Sequence, residues 1–297
     1  MKTITKYPLI SICIPTFNSG KTIERTLDSI KSQIYKNYEI IIVDHYSTDE
    51  TLSIAKKYTK KIYMDKNRLL SSRRIGFNKS KGDIILIVDS DHILEPTLLS
   101  KIAESFTKKD VDMLILEEKS WYPYKLVGKM YDWDRENFLE AYELDPCKSV
   151  LIPRVFKRKL MSQTFDRIDK ELDNVIVVQD HVIMYYEAWQ ISKKIGLIKN
   201  ALFHMDPTTF RKVFKHYYDC GKFQYLEKEA KGMIPKKYED MFEGRMKNRL
   251  KSINWFSVKG WRSFPLIFTK GIGFKIGLFF YNNQTILKIK RMIYGNK

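Results

Sequence analysis

The sequence predicts an α/β protein built on a mostly parallel sheet, and three features of the chain predict this fold class. Strand-like and helix-like segments alternate through the first third of the 297 residues. The strand-like segments are apolar runs rich in branched side chains, which is typical of strands buried on both faces. Polar and acidic side chains follow several of these runs directly, at the sheet edge where parallel sheets bind ligands. Hydrophobic residues make up 44% of the chain, which is ample for a core.

The individual elements follow from this alternation, because strand, helix and strand at short spacing indicate βαβ units. The predicted strands span residues 9–14, 38–43, 61–64, 83–88, 112–116 and 201–203. The predicted helices span residues 21–34, 49–58, 69–79 and 182–192, and a further helix begins at Pro96. Residues 117–153 are richer in aromatic side chains and less periodic, so they either line an acceptor site or fill a core.

The most informative segment is the apolar run at residues 84–88, which leads straight into Asp89, Ser90 and Asp91. Carboxylates at this spacing can reach one hard cation, and such a cation can hold a diphosphate. The alternative is that these side chains cap the helix that begins at Pro96.

The first two predicted strands also end in polar side chains. The first ends in Pro15 and Thr16, followed by Asn18, and the second ends in Asp44. Asp44 can accept hydrogen bonds from a base or a ribose, and Thr16 and Asn18 offer further hydrogen bonds at the same edge. The alternative for all of them is an ordinary turn with helix caps. Arg73 has two interpretations. Its planar, positively charged guanidinium either contacts a base or phosphate, or it lies on a solvated helix face.

Four segments, taken in order, resemble the large family 2 of inverting glycosyltransferases. They are residues 12–18, residues 42–51, Arg73 with Gly76, and residues 82–91. The resemblance is strong over residues 8–105 and looser over residues 150–225. It implies the GT-A fold, in which a Rossmann-like, mostly parallel sheet flanked by helices binds a nucleotide sugar.

The resemblance also implies a role for each matching position. Thr16, Asp44 and Arg73 would hold the nucleobase and its surroundings, and Asp89 would contact the ribose or the metal. The predicted nucleotide-sugar-binding residues are Pro15, Thr16, Asn18, Asp44, Arg73, Asp89 and Ser90.

A metal and a general base are implied in the same way. Asp91 would ligate Mg²⁺ or Mn²⁺ on the diphosphate, and His204, after the last predicted strand, would complete the metal site. Asp180, at the head of a predicted helix, would take the proton of the acceptor hydroxyl. Their alternatives are a helix cap for Asp180 and a buried core histidine for His204.

The chain departs from the family pattern at three places. The usual Asp-Asp-Gly-Ser turn is here residues 44–47, with His45 and Tyr46 in the middle, which leaves the nucleobase open. His92 stands where a third acid often follows. Gln179 replaces a glutamate before Asp180, which leaves a single base candidate.

The end of the chain is strongly basic. From residue 211 onward there are 20 Lys or Arg and 6 Asp or Glu, so this part carries +14 of the total charge of +18. Its lysines are mixed with Trp and Phe, which suits helices that lie on an anionic membrane surface. A packed basic subdomain and a nucleic-acid-binding surface are the alternatives. We therefore predict a GT-A domain over residues 1–225 and a basic, aromatic-rich helical region over residues 226–297.

The sequence thus predicts a metal-dependent inverting glycosyltransferase that uses a nucleotide-sugar donor. A lipid-linked acceptor is expected because the basic region suggests work at a membrane. Three scattered cysteines and a first apolar segment too short for a signal peptide indicate a cytoplasmic protein, peripheral on the inner face of the cell membrane. The rivals are a sugar nucleotidyltransferase and a basic nucleic-acid-binding protein; the latter leaves the acids at the strand ends unexplained.

Overall fold

One eight-stranded sheet organises the computed structural model, which describes residues 7–229, 234–251, 253 and 257–294. The strand order is β3-β2-β1-β4-β7-β6-β8-β5. The strands are β1 Ile10–Thr16, β2 Tyr38–Asp44, β3 Ile62–Met64, β4 Ile84–Ile87, β5 His92–Leu94, β6 Met113–Ser120, β7 Pro153–Lys157 and β8 Ile195–His204. The helices are α1 Ile23–Lys31, α2 Thr51–Ala55, α3 Leu69–Lys79, α4 Leu98–Lys108, α5 Leu126–Ala141, α6 Arg158–Arg167, α7 Asp180–Ile191, α8 Phe210–Glu229, α9 Lys236–Lys251 and α10 Val258–Tyr294.

The predicted α/β class with a mostly parallel sheet is confirmed. Strand β1 lies between β2 and β4 and is parallel to both, β2 is parallel to β3, and β6 is parallel to β8. The sequence did not predict the antiparallel pairings. Strand β7 runs antiparallel between β4 and β6, and the short β5 pairs antiparallel with β8.

Apolar side chains cover both faces of the sheet, as the continuous runs predicted. On β1, Ile10, Ile12 and Ile14 belong to the core cluster that includes residues of α1 and α4. Cys13, between them, points to the opposite cluster, which includes residues of α3, α6 and α7. Because both faces are buried, only the strand ends are left to carry polar chemistry.

The structure corrects the sequence prediction mainly in the middle of the chain. Residues 117–153 contain the helix α5, and the elements β7 and α6 follow it directly; none of the three was predicted. The predicted strand at residues 201–203 is only the end of β8, which begins at Ile195. Strand β8 is irregular, since Asn200 has a left-handed backbone and the register against β6 shifts there. This irregularity interrupts the alternation of inward and outward side chains, so the sequence does not show the whole strand.

The last helix, α10, lies along α5 and α8. Lys259 pairs with Glu136 and Glu140 of α5, and Lys270 donates to Asp134 at 2.7 Å. By length and composition alone, residues 258–280 could cross a membrane, and 28% of that stretch is buried. The predicted domain boundary at residue 225 falls within α8, and the division stays a prediction.

Candidate active site

The ends of β1 and β2 are joined by one buried carboxylate. Thr16 Oγ1 donates to Asp44 Oδ2 at 2.6 Å, and the Ser47 hydroxyl donates to the same oxygen at 2.6 Å. The backbone N–H of Ser47 donates to Asp44 Oδ1 at 2.7 Å. Asp44 is fully buried, so it organises the loop that follows β2. The structure therefore brings Thr16 and Asp44 together as predicted.

The loop after β1 is tied to the same turn. Asn18 has a left-handed backbone, with φ of 47°. Its N–H donates to Ser47 Oγ at 2.8 Å, and its side-chain oxygen accepts from the Thr48 N–H at 2.9 Å. Ser90, after β4, shares a hydrogen bond of 2.8 Å with Ser19. These contacts fix the ends of β1, β2 and β4 relative to one another at one edge of the sheet.

Asp89 lies between two guanidinium groups. Arg73 Nη2 donates to Asp89 Oδ1, and Arg154 Nη1 donates to Asp89 Oδ2 at 3.0 Å. Burial acts to raise the pKa of Asp89, but Arg73 and Arg154 outweigh it and hold this pKa well below its usual range. Asp89 is therefore an anion. Arg73 is itself buried, and its Nη1 has no hydrogen-bond partner among the described residues.

Asp180, the predicted base, is the first residue of α7 and is buried. Its Oδ2 accepts from Arg73 Nε at 3.0 Å, and only 2% of the residue is exposed. The next residue, His181, lines the cavity described below, and its Nε2 lies 2.7 Å from Arg73 Nη2. Arg73 thus links the strand end at Asp89 to the head of α7.

The ladder between β5 and β8 brings Asp91 and His204 together. Asp91 directly precedes β5, and His92 pairs with His204 in register. As a result His204 Nε2 lies 3.5 Å from Asp91 Oδ2. On the other side of the ring, His204 Nδ1 lies 2.9 Å from Asp206 Oδ1. Burial acts to lower the pKa of His204, but the carboxylates of Asp91 and Asp206 raise it to about 9.

His92 lies in the same cluster but is turned inward. The Asp89 N–H donates to His92 Nδ1 at 3.1 Å, and the ring is fully buried. Burial lowers the pKa of His92 to about 4, so the ring is neutral near pH 7. Through this hydrogen bond His92 positions the backbone of Asp89. Ligand atoms of Asp91, His92 and His204 all lie within 4.8 Å of one another, so the three side chains together could hold a metal ion.

A cavity of about 800 Å³ opens beside these groups. Its walls come from β6, α5, β7, α7, the end of β8, α8 and α10. Its polar lining includes Asp91, His204, Asp206, His181, Arg154, Glu118, Arg135, Lys212 and Lys270, and its aromatic lining includes Tyr122, Tyr131 and Tyr217.

Four charged residues of this site were missed by sequence reasoning. Arg154 Nε donates to Glu118 Oε1 at 2.7 Å, and Arg135 donates to both oxygens of Asp206 at 2.8 Å. Arg135 Nε lies 4.0 Å from Glu118 Oε2. Charges of opposite sign therefore alternate along the site, in the order Asp180, Arg73, Asp89, Arg154, Glu118, Arg135, Asp206, His204 and Asp91.

The fold, and a sheet edge that carries Asp89 and Asp91, define a GT-A type of α/β protein. Residues 11–146 match the family described as Glycosyl transferase family 2. The matched segment holds the first two strands and the sheet edge with Asp89 and Asp91, and the fold is of the GT-A type, so the chain is similar to glycosyltransferase family 2 in both sequence and fold. This confirms the resemblance seen in the sequence.

Relatives and solved structures agree with that assignment. The chain is 31% identical over 193 residues to the glycosyltransferase GlyG of Streptococcus pneumoniae serotype 4, a match that covers 57% of this chain and 59% of that protein. Its fold is similar to S. aureus TarS 1-349 in complex with UDP-GlcNAc, with a TM-score of 0.52, 17% identity, and coverage of 86% of this chain and 79% of that one. It is also similar to the mannosyltransferase PcManGT from Pyrobaculum calidifontis in complex with GDP-Man and Mn²⁺, with a TM-score of 0.54, 14% identity, and coverage of 97% and 81%.

Proposed function

We propose that this protein transfers a sugar from a nucleoside-diphosphate donor to a hydroxyl or phosphate acceptor, with inversion at the anomeric carbon. The observation that carries the proposal is the pairing of Asp91 with His204 at 3.5 Å on the wall of the large cavity. The match of residues 11–146 to glycosyltransferase family 2 supports glycosyl transfer over the rival sugar nucleotidyltransferase.

The donor would lie along the sheet edge formed by β1, β2 and β4. Asp44 and Thr16 would meet the nucleobase and its surroundings, with Pro15, Asn18 and Ser90 shaping the edge. The unpartnered Nη1 of Arg73 supports a role for this residue at the donor, because a buried N–H group without a partner is costly. The structures of TarS with UDP-GlcNAc and of PcManGT with GDP-Man support a nucleotide sugar of this kind.

The residues around Asp91 fit a divalent cation. A carboxylate suits Mg²⁺ or Mn²⁺, an imidazole nitrogen suits Mn²⁺ better than Mg²⁺, and the 3.5 Å between Asp91 and His204 suits shared coordination. Asp206 holds the far nitrogen of His204, as carboxylates commonly do behind a metal-binding histidine. When bound, the ion would neutralise charge on the departing diphosphate. The presence of Mn²⁺ in the PcManGT structure supports this assignment.

Asp180 remains the proposed general base. Its hydrogen bond from Arg73 fixes the carboxylate at the head of α7, beside the cavity-lining His181. It would take the acceptor proton as the acceptor oxygen attacks from the face opposite the leaving group. One direct displacement inverts the anomeric centre and needs no covalent nucleophile.

We further propose a lipid-linked glycan or glycolipid precursor as acceptor, and a place on the cytoplasmic, inner face of the cell membrane. The charge of +14 in the last third of the chain and the exposed aromatic side chains of α10 support an anionic membrane surface. The whole protein would then act in glycan assembly.

The direct test is release of nucleoside diphosphate from a panel of UDP- and GDP-sugars, with and without Mn²⁺ and a polyprenyl-phosphate acceptor. We expect acceptor-stimulated release with one donor, and a product of inverted configuration by NMR. Release of pyrophosphate from a nucleoside triphosphate and a sugar phosphate would instead indicate the rival nucleotidyltransferase.

A further inference from the structure

The helix α10 exposes a row of large apolar side chains. These side chains are on the outer face, where Trp261 is 69% exposed, Phe268 58% and Phe279 63%. Residues 261, 268, 272 and 279 recur at intervals that place them on one side of a helix. The full exposed apolar set of this helix, called here the outer stripe, is Val258, Trp261, Phe264, Phe268, Ile272, Phe279 and Phe280.

The inner face of α10 packs on α5 and α8, where Leu266 is fully buried in an apolar cluster. Ser263 and Lys270 are buried there, and so are two glycines that bring α10 against the α8 backbone. A Cβ added at Gly277 would lie 2.0 Å from the Tyr218 carbonyl oxygen, and one at Gly273 would lie 2.7 Å from that of Phe214. Small residues four apart let two helix backbones approach closely, so α10 is held tightly against α8.

The outer stripe lies along the domain and does not lead away from it. Lys259 is held by Glu136 near the beginning of the helix, Lys270 by Asp134 in its middle, and Gly277 packs on α8 further on. Over residues 258–280 this is a rod of about 35 Å at 1.5 Å per residue. A helix fixed lengthwise in this way presents one side to a flat surface, because crossing a bilayer would take α5 and its charges with it.

We propose that the outer stripe of α10 docks into the interface of an anionic lipid membrane. Charge complementarity selects this occupant: residues 258–280 carry no acidic side chain, and of their four basic ones Arg262 and Lys275 are exposed, whereas those at positions 259 and 270 pair with acids of α5. Trp and Phe between basic residues are the composition of helices that lie in the headgroup region. The inference deepens the proposed function, because it rests on a membrane-linked reaction and names the surface responsible.

Docking through this face also orients the active site. The inner face of the same helix delivers Lys270 to the wall of the cavity, where its ammonium lies over the Tyr131 ring at 4.3 Å. Tyr217 of α8 lines the cavity as well. The helix that meets the lipid therefore also builds part of the cavity wall. An acceptor anchored in the membrane would then reach the active site close to the surface that holds its lipid anchor.

The test is sedimentation of the full chain with vesicles of phosphatidylcholine, with or without phosphatidylglycerol. We expect binding only to the anionic vesicles, weakened by salt. In Trp261→Ser/Phe268→Ser, the partition coefficient should fall at least tenfold. The matched control is Ile34→Ser, which changes an apolar side chain that is 65% exposed outside α10 and should leave binding unchanged.

Three outcomes would overturn the proposal: no binding of the unaltered chain, equal binding of the double variant, or a dimer that the double variant converts to a monomer without any vesicle binding. The last would assign the stripe to a second copy of the chain. Nucleotide-sugar turnover in solution without vesicles separates the two proposals, because the double variant should retain it. Vesicle binding without turnover of any donor would contradict the proposed function but would still support the docking surface.

Discussion

Nη1 of Arg154 lies 3.0 Å from Oδ2 of Asp89, which joins the antiparallel strand β7 to the acid that follows β4. Arg154 Nε binds Glu118 on the next strand, β6, at 2.7 Å. One guanidinium therefore fastens three neighbouring strands at the edge that carries the proposed donor site. The charged groups of this site have little contact with solvent. Removing one group of a pair leaves the other charge without its partner, which destabilises the folded protein.

Removing Arg154 should accordingly be costly. Arg154→Met leaves the half-buried Glu118 with only the more distant Arg135, and we expect the free energy of unfolding to fall by about 1.5–3 kcal/mol, the scale of hydrogen bonds to charged groups. Urea denaturation followed by circular dichroism measures it. The control Lys108→Met breaks the exposed pair with Glu104 and should leave the free energy of unfolding nearly unchanged. Equal losses in the two variants would show that the Arg154 network adds nothing to stability.

The same network predicts how stability depends on pH. Burial acts to raise the pKa of Glu118, but Arg154 and its neighbours lower it from an ordinary value of 4.5 to about 2. A depressed carboxyl pKa stabilises the fold fully above pH 4.5, and this contribution is lost as the pH falls from 4.5 through 2. In Glu118→Gln, the slope of unfolding free energy against pH in that window should be smaller by about one proton. An unchanged slope would contradict the depressed pKa.

How much of this site the sequence could predict depends on how far apart along the chain the contacting residues lie. Thr16, Asp44 and Asp89 each follow an apolar strand, so a parallel sheet brings them to one edge, as expected. The pairing of Asp91 with His204 was implied by the family resemblance, and β5 and β8 produce it. Arg154 could not be predicted, because β7 is only five residues long and enters the sheet between strands that precede it in sequence.

Asp206 and Arg135 were missed for a related reason. Asp206 stands two residues beyond His204, in a loop with no local signal, and Arg135 is on α5 in a stretch without visible periodicity. Their bidentate contact joins residues 71 apart in sequence. The same holds for the outer stripe of α10: its residues were visible as aromatic and basic, but which face is buried depends on the backbone of α8.

The proposed metal site predicts a specific loss. Asp91→Asn keeps the side-chain size but removes the charge that would draw the cation. We expect Mn²⁺ binding, followed by electron paramagnetic resonance or calorimetry, to weaken at least tenfold, and turnover to stay low when Mn²⁺ is returned after chelation. Asp110→Asn, at an exposed carboxylate paired with Lys194, should bind and turn over normally. Full turnover of the unaltered protein in chelator would show that the reaction does not need a metal ion.

The proposed base predicts a different signature. Asp180→Asn still accepts the Arg73 hydrogen bond but cannot take a proton, so transfer should fall about a hundredfold or more with donor affinity retained. His181→Gln, at the adjacent cavity-lining residue, provides the comparison. If His181→Gln lost transfer to that extent and Asp180→Asn kept it, the base would be His181 and Asp180 would serve to fix Arg73.

Two glycines of α10 form a matched pair that tests how the helix is held. Gly277 packs on the Tyr218 carbonyl, whereas an added Cβ at Gly271 meets nothing within 4 Å. Gly277→Ala should push α10 from α8 and destabilise the protein by about 1–3 kcal/mol, the usual scale for overpacking. Gly271→Ala should instead stabilise it by about 0.5–1 kcal/mol, because alanine favours a helix interior over glycine. Urea denaturation of both variants gives the signs. If both substitutions stabilise, α10 does not rest on α8 through its glycines, and the lengthwise attachment on which the docking surface depends is wrong.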